Sequence, residues 1–530
     1  MNEPTTSKDQ ANQQIARAAT IVFIAMAVGQ LVGQLAKSVT VSTFGAAAEL
    51  DAYNAANRVS ETVYLLVAGG ALGSSFIPVF TGLLTTEKKK EAWKLASSII
   101  NLVTIILIAL SILVMIFAEL LVKNILAPSF PADQQLLTAS LLRVLMPTTI
   151  IFGASGLFMG MLNSHQKFLL PALAPSMYQI GIILGVLFLT PAMGIYGLAW
   201  GTLLGAFLHL LIQLPQVLRL PHRQYDLVVN IKNERVREVI LLMLPRLLGV
   251  AVVQLNFWVN TIIASGLRPG SLTAITIGFA LMLMPQTVIG QATATAALPT
   301  YAAQYAQGKI DDFRSSLAAT LRVVLLLSIP AMIGMIVLRH PLVRMFYGYG
   351  AAANSEATQM IAAAVLWYTV GLVSHSIYEI LARAFYALHD TRTPVIVGVI
   401  AMSLNVVLSY LFVALFRSMQ WLPLGGLALA NSLATTIEMV VLIIVMSRRL
   451  KGLELPSLLI TAVKAVISAG VMAIALYFWL DFSQQAVNPI LITLVGAGAG
   501  IIIYFTLIYF LRVQELSSLI ETIKKRVFHR

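Results

Sequence analysis

Two short polar stripes carry the residues best suited to chemistry. Gln30, Gln34 and Lys37 fall at i, i+4 and i+7, and Asn54, Arg58 and Glu61 repeat that spacing. On a helix each trio shares one face. Amides beside a lysine and an arginine can hydrogen-bond and charge-pair an anionic group, with Asp51 and Glu61 as carboxylates that orient the cations. Long apolar stretches flank both stripes, which implies a wet cavity between helices. The plainer reading pairs Arg58 with Glu61 at i+3 and lets Lys37 snorkel from a helix end.

Three further sets stand out. His375, Glu379 and Arg383 recur every four residues, a spacing that fits a gate, a proton relay or a self-satisfied polar face. Asn256 and Asn260, with Asn405 and Ser409, supply oxygens for a candidate monovalent cation such as Na+; amides in membranes also serve as interhelical hydrogen-bond partners. Arg246, next to Pro245, is either a gate residue or an interfacial anchor. Glu438 is a lone carboxylate. No phosphate-binding glycine loop and no HExxH pair occurs, so the expectation is a non-enzyme without a cofactor. The GAGAG run at Gly496–Gly500 reads as helix packing rather than a nucleotide loop. Any uphill work would then draw on an ion gradient (Na+ or H+) or on membrane potential.

The elements that must position these residues follow from composition. The 530 residues are 58% hydrophobic and 11% charged, with mean hydropathy +0.86. Soluble domains run at about 25% charged, so the outer solvent of this chain is lipid. The formal net charge of +13 therefore points to loop lysines and arginines at a membrane rather than to nucleic acid. With no cysteine, disulfides and thiol chemistry are excluded.

The expected fold is an all-α polytopic membrane protein with fourteen transmembrane helices. Spans are expected near 18–44, 55–83, 95–121, 136–162, 168–189, 195–217, 239–265, 272–303, 315–338, 358–387, 394–416, 422–446, 458–480 and 490–511. Basic residues concentrate in alternate connections, such as Lys88–Lys90, Arg219–Arg223 and Arg448–Lys451, which puts both termini in the cytoplasm. The polar start lacks a cleavable signal pattern and reads as preceding an uncleaved anchor. An internal repeat is also present: Pro78 precedes Lys88 by ten residues, and Pro299 precedes Lys309 by ten. The interval holds six spans, so the copies share one orientation, as two parallel six-helix lobes around a central cavity plus two C-terminal helices. The expected layout is a cytoplasmic segment 1–17, a first lobe 18–217, a cytoplasmic linker 218–238, a second lobe 239–446, two helices within 447–511, and an amphipathic cytoplasmic tail 512–530.

Several stretches together resemble the MurJ/MviN family of lipid II flippases, in the multidrug/oligosaccharidyl-lipid/polysaccharide exporter superfamily. They are FGAAAELDAYNAANR (residues 44–58), GALGSSFIPVF (70–80), MLNSHQKFLLPALAP (161–175), QLNFWVNTIIAS (254–265) and LARAFYALHDTRTPV (381–395). The resemblance implies a multi-pass protein of the bacterial inner membrane. It would move an undecaprenyl-pyrophosphate-linked peptidoglycan precursor from inner to outer leaflet by alternating access, alongside cell-wall synthesis proteins. It also implies several arginines in the first, second and eighth spans that bind the pyrophosphate. Here those positions hold Gln30, Ala36, Tyr64 and Ala280, leaving Lys37 and Arg58 as the basic candidates. The alternatives are a flippase or exporter of another amphipathic or lipid-linked substrate, and a transport-inactive scaffold for envelope assembly.

Overall fold

The structure is a computed structural model that describes residues 7–66, 75–353, 355–483 and 488–513. Side chains of residues 7–24, 245, 246, 248, 249, 252, 352 and 355 lie outside the described set. All regular structure among the described residues is helical. The expected 512–530 tail falls almost wholly outside them, as do residues 67–74 of the second span.

The chain divides into two compact units, residues 1–266 and 267–530. The first contains α1 (Ser7–Phe44), α2 (Ala48–Leu65), α3 (Ile77–Thr85), α4 (Lys89–Ile116), α5 (Ala118–Leu121), α6 (Ala132–Ser164), α7 (Leu169–Leu184), α8 (Thr190–Met193), α9 (Ile195–Leu211), α10 (Leu214–Leu218) and α11 (Glu234–Ser265). The second contains α12 (Ser271–Gln286), α13 (Ala292–Ala306), α14 (Ile310–Val337), α15 (Arg339–Tyr347), α16 (Ser355–Thr369), α17 (Leu372–Ala387), α18 (Arg392–Ser418), α19 (Leu424–Arg449), α20 (Leu455–Phe482) and α21 (Pro489–Phe510). Wide π-helical turns join α7 to α8 at Gly185–Leu189 and α12 to α13 at Thr287–Gln291.

Among the described residues, ten helical stretches are long and apolar enough to cross a membrane, and an eleventh is the bent pair α16–α17. The other expected spans fall on α1, on α2 with α3, and on α11. Helix α2 starts at Ala48 rather than near residue 55, because its first turns carry Glu49 and Asp51. With Arg58 and Glu61 it has four charges in 18 residues, too many for a lipid-exposed helix.

In the first unit, α7 and α9 meet backbone to backbone. A Cβ at Gly201 would lie 2.6 Å from the Cα of Gly185, and one at Gly181 would lie 2.2 Å from the Cα of Gly205. Glycines four apart on both helices form the facing ridge, the small-residue packing that membranes favour. Helix α1 packs on α7, α2 on α6, and α4 on α6. Helix α11, which the repeat assigns to the start of the second lobe, groups with residues 1–266 and packs against α2 and α4. In the second unit α18 packs on α19, α12 on α16, and α14 on α17. The pairs α7–α9, α2–α6 and α4–α6 of the first unit stand at corresponding places in the chain order.

The α16–α17 bend is 45°. It has a local cause: carbonyls freed at the break need donors inside an apolar bundle. Ser432 on α19 donates to the carbonyls of Trp367 (2.7 Å) and Tyr368 (3.1 Å).

Candidate functional site

Helix α2 presents the first polar cluster. Arg58 Nη1 donates to Glu61 Oε2 at 3.0 Å; the Arg58 side chain is 13% exposed and that of Glu61 45%. The guanidinium carbon lies 5.1 Å from the ring centre of Phe257 on α11. One residue on, the Trp258 indole N–H donates to Thr62 Oγ1 at 2.9 Å. Helix α11 thus packs an aromatic pair over the Arg58–Thr62 turn. Arg58 Nε is buried without an acceptor. Glu61 is also within electrostatic reach of Lys37 on α1, so the two stripes read from sequence converge in one unit.

The remaining stripe residues divide by exposure. Lys37 and Gln30 are exposed, Asn54 is half-buried, and Gln34 is buried. Asp51 is 1% exposed and occupies the first turn of α2, where the helix dipole favours a carboxylate. It lies seven residues, about 10 Å of helix rise, from Arg58. The structure therefore pairs Arg58 with Glu61, leaves Lys37 within electrostatic reach of that carboxylate, and sets Asp51 at the helix start.

Below this cluster sits an aromatic floor that sequence reasoning missed. Tyr64 lies 4.5 Å from Phe152, ring centre to ring centre, and Phe152 contacts Tyr178 and His209 at 5.1 and 5.4 Å. Tyr53 bonds to Thr202 across α2 and α9 at 2.7 Å. Ser155 bonds to His209 Nδ1 at 2.6 Å and accepts from Gln213 at 2.9 Å. The residues come from four helices and the turn that carries Gln213, with no shared local spacing. The one available signal was the clustering of Tyr53, Tyr64, Phe257 and Trp258 around stripe positions already singled out.

The second unit holds its own polar cluster. Glu379 and Arg383 form an ion pair on α17. Gln286, at the end of α12, donates to Glu379 Oε1 at 3.4 Å, and Gln291 in the following π turn donates to the same oxygen at 3.5 Å. On a regular helix, residues five apart diverge by about 140°; the wider i→i+5 turn brings both amides to one carboxylate. Gly290 in that turn sits where a Cβ would be 2.9 Å from Ser376 Cα, so α17 can approach. His375 does not join this cluster. Its Nε2 meets Asn431 Oδ1 of α19 at 3.1 Å, and its ring faces Phe279. His375, Glu379 and Arg383, evenly spaced in sequence, are therefore an ion pair on one side and a histidine–amide contact on the other.

The candidate cation ligands are also split. Asn256 and Asn260 are buried in the first unit, Asn405 and Ser409 in the second. Ser409 donates to Asn405 Oδ1 at 3.2 Å, leaving Asn405 Nδ2 unpartnered. An unpartnered N–H is a donor, whereas a hard cation needs oxygens, so this pair as arranged does not favour one. No cluster of three or more His, Cys, Asp or Glu suited to a metal occurs among the described residues. Arg246 lies on α11, and its side chain is outside the described residues.

Bundles of apolar helices enclosing isolated polar clusters define an all-helical multi-pass membrane protein. The chain superposes on a solved structure titled lipid II flippase MurJ, inward closed conformation, with a TM-score of 0.78 at 24% identity, covering 96% of this chain and 100% of that one. It also superposes on an inward-facing multidrug resistance MATE family transporter, with a TM-score of 0.68 at 16% identity, covering 81% and 98%. The family described as lipid II flippase MurJ matches residues 40–496, and the chain belongs to it. Curated relatives include the probable lipid II flippase MurJ of Vibrio cholerae, 27% identical over 98% of this chain and 100% of that protein. Another is that of Rhizobium meliloti, 26% identical over 94% of each.

Proposed function

We propose that this protein is a flippase for a polyprenyl-pyrophosphate-linked peptidoglycan precursor like lipid II, moving it from the inner to the outer leaflet by alternating access. Family membership supports the substrate class. The observation that carries the site is the Arg58 side chain, half-buried against Phe257 with Nε unpartnered. A cationic fork with a spare donor suits an oxyanion. In this reading Arg58 and Lys37 hold the pyrophosphate, Gln30, Gln34 and Asn54 bind the polar headgroup, and Glu61 keeps Arg58 oriented until substrate displaces it. The Glu379–Arg383 pair, with Gln286 and Gln291, acts as a gate in the second unit. The family fold supports fourteen spans in two parallel six-helix lobes plus two helices, and loop charge supports cytoplasmic termini. A coupling ion (Na+ or H+), or membrane potential, drives the cycle, and cell-wall synthesis proteins are the expected partners.

A second reading keeps the transport and changes the headgroup. It is favoured by Tyr64, which packs its ring at a tilt against Phe152 at a position where the family resemblance leads one to expect arginine. Depletion of the protein followed by leaflet analysis of lipid-linked precursors tests both. Accumulation of lipid II in the inner leaflet supports the first reading, accumulation of another lipid-linked intermediate supports the second, and normal topology of all of them refutes both.

A further inference from the structure

The segment between α10 and α11 is expected from its position to be a cytoplasmic linker, yet its middle is largely apolar: around half-buried Asp226 and exposed Asn230, Tyr225, Leu227, Val228, Val229 and Ile231 are all exposed, Leu227 at 87%. It does not hang free. It is fastened along α4, where the Asp226 N–H donates to Ser97 Oγ at 3.1 Å. Asn101, one turn on, uses its whole amide: Nδ2 donates to the carbonyls of Asp226 (2.9 Å) and Val228 (3.1 Å), and Oδ1 accepts from the Tyr225 hydroxyl at 2.5 Å.

The depth of this fastening is what matters. Lys94 is the last charge on α4, and Asn101 lies seven residues, about 10 Å, beyond it. The rest of α4 is strongly apolar and carries no charge. An asparagine there is costly unless its polar atoms are paired, and the segment pairs them. The same helix face one turn further holds Ile105, 55% exposed, so the apolar outer side of the segment continues a lipid-facing surface. Exposed Lys94, Arg219, Arg223 and Lys232 surround it, as anionic headgroups require.

We propose that residues 225–231 form a strap embedded in the bilayer, with Leu227 among the acyl chains and the basic rim at the headgroups, pinned to α4 by Asn101. Within the membrane the strap's carbonyls would have no water, so Asn101 replaces it. The strap fixes the entrance of α11, the helix that carries Phe257 onto Arg58.

The chain has no native cysteine, so single nitroxide labels report depth directly. Labels at Leu227→Cys, Ile105→Cys and Lys90→Cys are compared in the full-length protein in phosphatidylethanolamine/phosphatidylglycerol vesicles, using collision with oxygen against a nickel chelate. Position 227 is expected to favour oxygen, as position 105 does, with position 90 favouring nickel. Adding Asn101→Ala, or the milder Tyr225→Phe, is expected to shift position 227 toward the nickel pattern. A nickel-accessible label at 227 in the otherwise unaltered protein overturns the strap, and an oxygen preference that survives both substitutions overturns the role of Asn101. Neither readout depends on transport.

Discussion

Replacing Arg58 by alanine separates a substrate contact from a structural one. The ion pair with Glu61 is worth at most about 1 kcal/mol, because Glu61 is 45% exposed and solvent screens it. The contact with Phe257 adds roughly 0.5–2 kcal/mol. Glu61 can rehydrate once its partner is gone, so the stability loss is about 1–2 kcal/mol. Against a total of about 5–15 kcal/mol for an ordinary domain, the protein still accumulates in the membrane. A charge-assisted bond to a pyrophosphate is worth about 1.5–3 kcal/mol, or about 10- to 100-fold in apparent affinity. Arg58→Ala should therefore lower flipping in reconstituted vesicles by that factor at unchanged abundance. Arg58→Lys should recover only part of it, because the fork and the stacking are lost. Glu61→Gln is the decisive companion: it breaks the same pair but frees the cation, so flipping should persist. Unimpaired flipping by Arg58→Ala, or a defect in Glu61→Gln as large as in Arg58→Ala, refutes the assignment of Arg58 as an anion contact.

Further expectations follow from other parts of the molecule. Gly201→Leu puts a side chain where the backbone of Gly185 already lies and should abolish accumulation of folded protein, whereas Gly498→Ala, with nothing within 4 Å, should leave the thermal midpoint in detergent unchanged. Glu379→Gln strips the carboxylate from a half-buried pair; between the surface and buried limits the cost is roughly 2 kcal/mol. A double substitution with Arg383→Gln should restore part of the thermal midpoint, since no charge is then left unpaired. Outside the spans, Asp390 accepts from the Thr393 hydroxyl and N–H and pairs with Arg449. These interactions, the Thr393 hydroxyl foremost, hold its carboxyl down at about 2. The ionised form is the one the fold favours, so this contribution is full above the unfolded value near 4 (~3.9) and is lost as pH falls toward about 2. Asp390→Asn should flatten that part of the stability–pH profile, and an unchanged profile would show that the Asp390 contacts do not govern it.

Helix positions were legible because apolar runs of about 20 residues leave few other options in lipid. The pairing of Arg58 with Glu61 at i+3 was legible too, since helical spacing puts the two on one face. What could not be read were features that depend on backbone geometry or on distant partners. The wide turn at Thr287–Gln291 leaves no compositional mark, so Gln286 and Gln291 did not present as a pair. His375 and Glu379 share a face by spacing, yet a neighbour on α19 captures the histidine. The run at 496–500 serves helix packing as read, with Gly496 and Gly500 lying against Trp479 and Met472 of α20, although these are side-chain contacts and Gly498 has nothing within 4 Å. The backbone-to-backbone contact is made instead by glycines spaced across α7 and α9. The polar asparagine at 101 had no meaning until residues 225–228 were seen beside it.

The wide turn between α12 and α13 also acts as a phase shifter. A helix is a ruler with fixed angular marks, and one extra residue per turn slips every later mark by about 100°. Everything from Ala292 onward is therefore set by that slip rather than by the register of α12. Removing a single residue between Gln286 and Gln291 would leave a smoother and locally less strained helix, but it would rotate Pro299 and the buried Tyr301 away from their present neighbours. The protein at this point is thus sensitive to the number of its residues as well as to their identity.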